Sequence, residues 1–324
     1  MENTNVAKKS FSRIGFALLA MAAVSLGMQV GVMAILNLVA GKNWMETPIL
    51  YVATFVPVYV IGIPVGLLIM KDVPKERIEE KDMSFGKWLM FFSICIFAMY
   101  IGSVLGLVVS TVFKGGAQVE NPLQSYVSGN IVMQIIFLVI LAPLIEEFVF
   151  RKVLIERMRP YGEKLAVVIS ALCFGLFHQN FMQFFYAFFL GLIWGYIYIR
   201  TGKLRYSAAL HMTINFLGSI VAGRLTSGLD LEALQNLDPQ NMNAVLEMYK
   251  NPAFIGLLIY LFIIGIIWIV GLVMFCINFG KRFYYHVSAE VPKGEVFKTA
   301  ILNPGLLLFI IFAIGMCFAA LFMG

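Results

Sequence analysis

The sequence predicts an all-α fold, a polytopic transmembrane helical bundle of about eight or nine spans, forming one integral-membrane domain over residues 1–324. Three observations carry that expectation. Hydrophobic residues make up 60% of the chain and aromatic residues 14%, with a mean hydropathy of +0.87, whereas a soluble domain is nearer half apolar. The apolar residues collect into runs approaching the roughly 20 residues that a hydrocarbon core of about 30 Å requires. The basic residues fall between those runs in alternation: with a cytoplasmic N-terminus, all but Lys42, Lys114, Arg224 and Lys250 lie on the inner side. The net charge of +6 therefore orients helices and does not form a nucleic-acid patch.

Nine apolar runs follow in order. The first, 14–40, succeeds a basic N-terminus, but it exceeds the apolar core of a signal peptide and reads as a retained span. Runs 49–70 and 88–113 contain no acidic, basic or histidine side chain. Run 129–151 is the exception to this apolarity, with Glu146, Glu147 and Arg151. Runs 164–179 and 182–199 are the shortest candidates for full crossings, and 206–223 follows; the first holds His178 and the last His211. Runs 254–279 and 300–323 complete the series. The polar connection 224–251 carries Leu229, Leu231, Leu234 and Leu237, which fits a surface helix or cap, or more simply a solvated loop. Cys95, Cys173, Cys276 and Cys317 sit within spans without close spacing, so they read as packing residues and indicate neither a disulfide framework nor a thiolate metal site. The C-terminal residues form no prenylation box, so nothing marks this chain as a lipidated substrate.

Ionisable groups inside a span cost several kcal/mol and persist mainly where they pair, line a cavity or do chemistry. Glu147 and Arg151 are four residues apart and share a helix face, whereas Glu146 points about 100° away. One carboxylate is thus neutralised and the other left free. Pro143 removes a backbone donor one turn earlier and opens room beside the pair. Phe174 with His178, and His211 with Asn215, each repeat the spacing of four on one face. Counting about 15 residues back and about 17 forward from the turn at 160–162, and subtracting about 12 Å of protruding helix, puts Glu146 and His178 roughly 10–14 Å deep; His211 lies roughly 9 Å deep. The three are expected to converge on one cavity open to the cytoplasm. His286, in a basic connection, reads as a surface residue.

A carboxylate beside an imidazole in a wet, low-dielectric pocket suits general-base activation of water. A second imidazole and an amide, His211 and Asn215, suit stabilisation of an oxyanion. Peptide-bond hydrolysis is the implied reaction. Its competing version uses zinc or another divalent metal on Glu146, His178 and His211, although the H-E-x-x-H signature is absent.

At these residues the chain resembles the CPBP family of intramembrane proteases, which includes type II CaaX prenyl proteases and bacteriocin-processing or bacteriocin-immunity proteins. The motifs are E-E-x-x-x-R at Glu146, Glu147 and Arg151, F-x-x-x-H at Phe174 and His178, and H-x-x-x-N at His211 and Asn215. The resemblance implies a CaaX-protease-like core over 129–223, with Glu146 activating water and His178 as its partner. It further implies His211 and Asn215 as oxyanion or ligand residues, and Glu147 and Arg151 in support. It leaves the cofactor open between a metal and none. The substrate would be a membrane-associated or prenylated-like peptide, approached from the cytoplasmic side of the cell membrane. A non-catalytic immunity or scaffold protein of the same family is the alternative. A proton-coupled transporter is a weaker one, lacking paired repeats.

Overall fold

The computed structural model describes residues 2–41, 43–46, 48–117, 126, 129–230, 240–278, 291 and 293–323. His286, Leu231, Leu234 and Leu237 lie outside these. Among the described residues all regular secondary structure is helical, without strands.

Helix α1, Glu2–Ala40, is followed by α2, Ile49–Ile69, and α3, Phe85–Phe113. Helix α4 runs over Ile131–Tyr161 and α5 over Glu163–Phe177. Then come α6, Phe181–Thr201, and α7, residues 204–227. Helices α8, Met242–Lys250, α9, Pro252–Asn278, α10, Val296–Ala300, and α11, Pro304–Met323, complete the order. Seven of these are long and apolar enough to cross a membrane, so the chain is a multi-pass membrane protein. The expected count of eight or nine is an approximation, and α5 and α7 account for the difference. Helix α5 has 15 residues, about 22 Å of rise, short of a full crossing. Helix α7 is long enough but carries Arg205, Ser207, His211, Thr213 and Asn215, polarity explained by what it faces.

The interior is built around α4, α5, α6 and α7, with Phe150, Phe174, Trp194 and Leu210 fully or almost fully buried among them. Helix α6 packs between α3 and α5, and α9 covers the far side of α3. Helix α1 lies against α2 on one side and α11 on the other. Glycine permits the closest of these approaches: a Cβ at Gly102 of α3 would overlap the backbone of Tyr186 on α6, and one at Gly305 would overlap the Ser12 carbonyl of α1. Small residues at such crossings let lipid-embedded helices gain backbone-to-backbone contact where no hydrophobic driving force is left.

Caps set the ends nearest the site. Asn130 accepts from the N–H groups of Val132 and Met133 at 3.0 and 3.2 Å, opening α4. Helix α4 closes at Tyr161, and Gly162 turns the chain with φ of 128°, a backbone conformation that glycine supplies. That turn stands where the sequence places it, at 160–162. Of the connection 224–251, the described part contains helix α8. Cys95, Cys173 and Cys317 are buried, but Cys276 is exposed on α9 and is not a packing residue as expected; its helix shows most of its surface to the surroundings.

Candidate active site

Helix α4 does not break at Pro143. It changes winding instead: residues Gln134–Leu141 and Phe148–Ile155 form π-helical turns on either side of the α-helical stretch Ala142–Glu147. Widened turns of this kind are frequent at functional sites. Here they bracket the two glutamates.

Glu147 and Arg151 are both 0% exposed and meet at 3.2 Å across one turn. Glu146, on the neighbouring face, keeps 24% of its side chain exposed. His211 stands between them, with Nδ1 3.4 Å from a Glu147 oxygen and Nε2 3.7 Å from a Glu146 oxygen. The paired carboxylate, the free carboxylate and one imidazole therefore come together as the sequence spacing implies. A carboxylate facing Nδ1 favours the proton on that nitrogen and leaves Nε2 toward Glu146.

His178 ends α5. Its Nδ1 lies 2.9 Å from the carbonyl oxygen of Phe174; a carbonyl only accepts, so Nδ1 carries the hydrogen and Nε2 is left with its lone pair. Among the described residues His178 makes no ion pair with either glutamate, whose imidazole partner is His211. Phe174 joins the two histidines instead. Its ring meets His178 edge-on at 5.0 Å and His211 at 5.9 Å, while the Arg151 guanidinium carbon lies 4.7 Å above it. The F-x-x-x-H spacing thus has two physical uses, a carbonyl that fixes the imidazole and a ring that spaces it from Arg151.

Two residues here escape the motif reading. Trp194 of α6 stacks on His211 with centroids 4.2 Å apart and planes 24° apart, and also faces Arg151 at 5.7 Å. Asn180 caps α6 by accepting from the Gln183 N–H at 2.8 Å while its amide donates to the His178 carbonyl at 2.8 Å. Between them Gln179 adopts φ of 56°, an uncommon conformation for a residue with a Cβ. An Asn directly after a histidine-bearing helix end is a readable cap signal; the Trp194 stack has no counterpart in the sequence, since it depends on how α6 rotates against α7. Asn215 donates from Nδ2 to the Leu138 carbonyl at 2.8 Å.

Among the described residues no three His, Cys, Asp or Glu side chains are grouped as ligands, and His178 stands apart from both carboxylates as an ion-pair partner.

Residues 128–217 match the model of a family described as type II CAAX prenyl endopeptidase Rce1-like. The membrane-embedded CAAX protease MroQ of Staphylococcus aureus (strain USA300) is 29% identical over 181 residues, which cover 53% of this chain and 70% of the relative. A protein named "Putative membrane peptidase YdiL", from Bacillus subtilis (strain 168), is 27% identical over 162 residues, covering 48% of this chain and 66% of its own. No solved structure matches the chain. The matched segment contains every residue described at this site, so it is over these residues that this multi-pass helical membrane protein is similar to the Rce1-like type II CAAX prenyl endopeptidase family.

Proposed function

We propose that this protein is an intramembrane endopeptidase that hydrolyses a peptide bond in a membrane-associated substrate, with Glu146 as the base that activates water. One observation carries the reading: of two adjacent carboxylates, Glu147 is sealed against Arg151, while Glu146 stays partly exposed beside the Nε2 of His211. The family match and the relatives' names support protease chemistry at the membrane.

Water held between Glu146 and the Nε2 lone pair of His178 would attack the scissile carbonyl carbon as its proton moves to the Glu146 carboxylate. The carbonyl oxygen then carries the negative charge. His211, whose Nδ1 lies 3.4 Å from a Glu147 oxygen, would enter the step already protonated as the imidazolium and donate its Nε2 hydrogen toward that oxyanion, keeping that proton throughout. Collapse reforms the carbonyl and breaks the C–N bond, and the proton on Glu146 passes to the leaving amine. Arg151 supports this by balancing the Glu147 charge, because an unpaired carboxylate in a low-dielectric interior is costly. The basic connections support a reading with the N-terminus and the site's opening on the cytoplasmic side.

The test uses purified protein in detergent with a panel of lipidated and unlipidated membrane-proximal peptides. His178→Ala is expected to lower turnover by about 100-fold or more, the scale of general acid–base contributions, while the protein still elutes as a folded species. Wild-type turnover should survive dialysis against a strong chelator. Undiminished cleavage by His178→Ala would remove its role, and loss of wild-type turnover that added zinc restores would replace this mechanism with a metal-dependent one.

A further inference from the structure

Asn215 lies beside a gap in the backbone hydrogen bonding of α4. Over Gln134–Leu141 the helix is π-wound, and its last turn closes with the Ala142 N–H reaching back five residues to the Phe137 carbonyl. The next donor in that register would be residue 143, reaching Leu138. Residue 143 is proline and has no N–H. The Leu138 carbonyl instead accepts from Asn215 Nδ2 at 2.8 Å, across 77 residues of sequence. Leu138 is buried in the bundle, where a carbonyl without a donor cannot turn to solvent.

The location gives this bond a consequence. Pro143 stands three residues before Glu146, at the start of the short α-helical stretch that ends in the two glutamates. Asn215 stands one turn after His211 on α7. A single hydrogen bond therefore ties the turn that aims Glu146 to the helix that carries its imidazole neighbour.

We infer that Asn215 is a positioning residue: it supplies the hydrogen-bond donor that Pro143 removes, and so fixes Glu146 relative to His211. The inference rests on the reading of Glu146 as the base. It differs from an oxyanion role for Asn215, because the amide acts here on the protein's own backbone, and restoring a backbone donor at 143 should replace it.

The experiment compares wild type, Pro143→Ala, Asn215→Ala and the double variant as full-length chains in detergent, measuring peptide cleavage and thermal unfolding. Asn215→Ala is expected to lose about 100-fold in kcat, as a misplacement near 1 Å does, with KM little changed and a lower unfolding midpoint. In the double variant the backbone N–H restored at position 143 reaches the Leu138 carbonyl, so at least tenfold of the lost turnover and most of the midpoint should return. Losses that simply add in both measurements would overturn the inference, and a direct oxyanion role would give additive loss in kcat. If Asn215→Ala does not survive purification, Asn215→Asp, equal in shape but without the N–H, takes its place with the same expectation. The unfolding comparison needs no substrate: rescue of the midpoint alongside a wild-type chain that cleaves nothing would uphold the Asn215 bond and remove the protease reading.

Discussion

At the scale of single residues, the site is a division of labour between two adjacent carboxylates. Glu147 is enclosed with Arg151, and breaking such a pair on one side leaves an uncompensated buried charge, at a cost of about 3–5 kcal/mol. Glu147→Gln is therefore expected to destabilise the protein by that amount, and pairing it with Arg151→Met should return part of the loss. Chemical unfolding followed by tryptophan fluorescence measures both; equal stability of Glu147→Gln and wild type would show that the pair is not integral. This division was legible in the sequence, since a spacing of four puts Glu147 and Arg151 on one face and Glu146 off it. Expected contact between Glu146 and His178 was not legible as it stands. Depth arithmetic brings the two to one height, but it does not set their rotation about the helix axes, and it is the ring of Phe174 that touches both His178 and His211.

At the scale of elements, long apolar runs located the helices well because hydropathy and length are nearly all that a lipid-facing helix needs. The elements less well read are those that serve the site. Helix α7 is too polar to stand as an ordinary span, and α5 is short because it ends at His178 in a turn made by Gln179 and Asn180. Pro143 predicted a disturbance in α4; its form is π-wound turns around an unbroken helix, with the Leu138 carbonyl taken up by the Asn215 amide of a distant element. Where two helices touch through glycine, the packing leaves no volume for a side chain. Gly102→Leu would drive α3 away from Tyr186 of α6, the helix that brings Trp194 to His211. Overpacking typically costs about 1–3 kcal/mol, so a lowered unfolding midpoint with reduced turnover is expected; an unchanged midpoint would mean the crossing is looser than described.

At the scale of the whole molecule, the connection between α2 and α3 proves to be more than a polar linker. Its backbone is fastened to the ends of the interior helices, with the Glu76 N–H donating to the Glu156 carbonyl and the Lys81 N–H to that of Thr201, each at 2.8 Å. Gly202, with φ of 62°, leaves room for it, since a Cβ there would press on the Glu79 carbonyl. Side-chain charges add to the attachment: Lys203 donates to Asp82 at 2.7 Å, and Tyr206 donates to it at 2.9 Å. The hydrogen bond from Lys203, then that from Tyr206 and the nearby positive charges, hold the Asp82 carboxyl below its ordinary range. A carboxylate lowered in the folded state contributes stability above its unfolded pKa and loses it as pH falls through the folded value. The attachment should therefore weaken on acidification below the ordinary carboxylate range. High salt should also weaken it, because Asp82 is exposed and screened. Amide hydrogen exchange at Lys81 and Met83 as a function of pH tests this: protection that falls at low pH in wild type, and is already reduced at neutral pH in Asp82→Asn, is the expected result. Protection independent of pH in both would assign the fastening to the backbone bonds alone.

In the proposed mechanism Glu146 takes the proton of the attacking water. Its most direct measurement is the single-turnover cleavage rate of Glu146→Gln, a variant of almost equal shape that cannot act as a carboxylate base, beside wild type on the same peptide. A fall of about 100-fold or more is expected, with an unfolding midpoint close to that of wild type. Equal rates in the two proteins would contradict it.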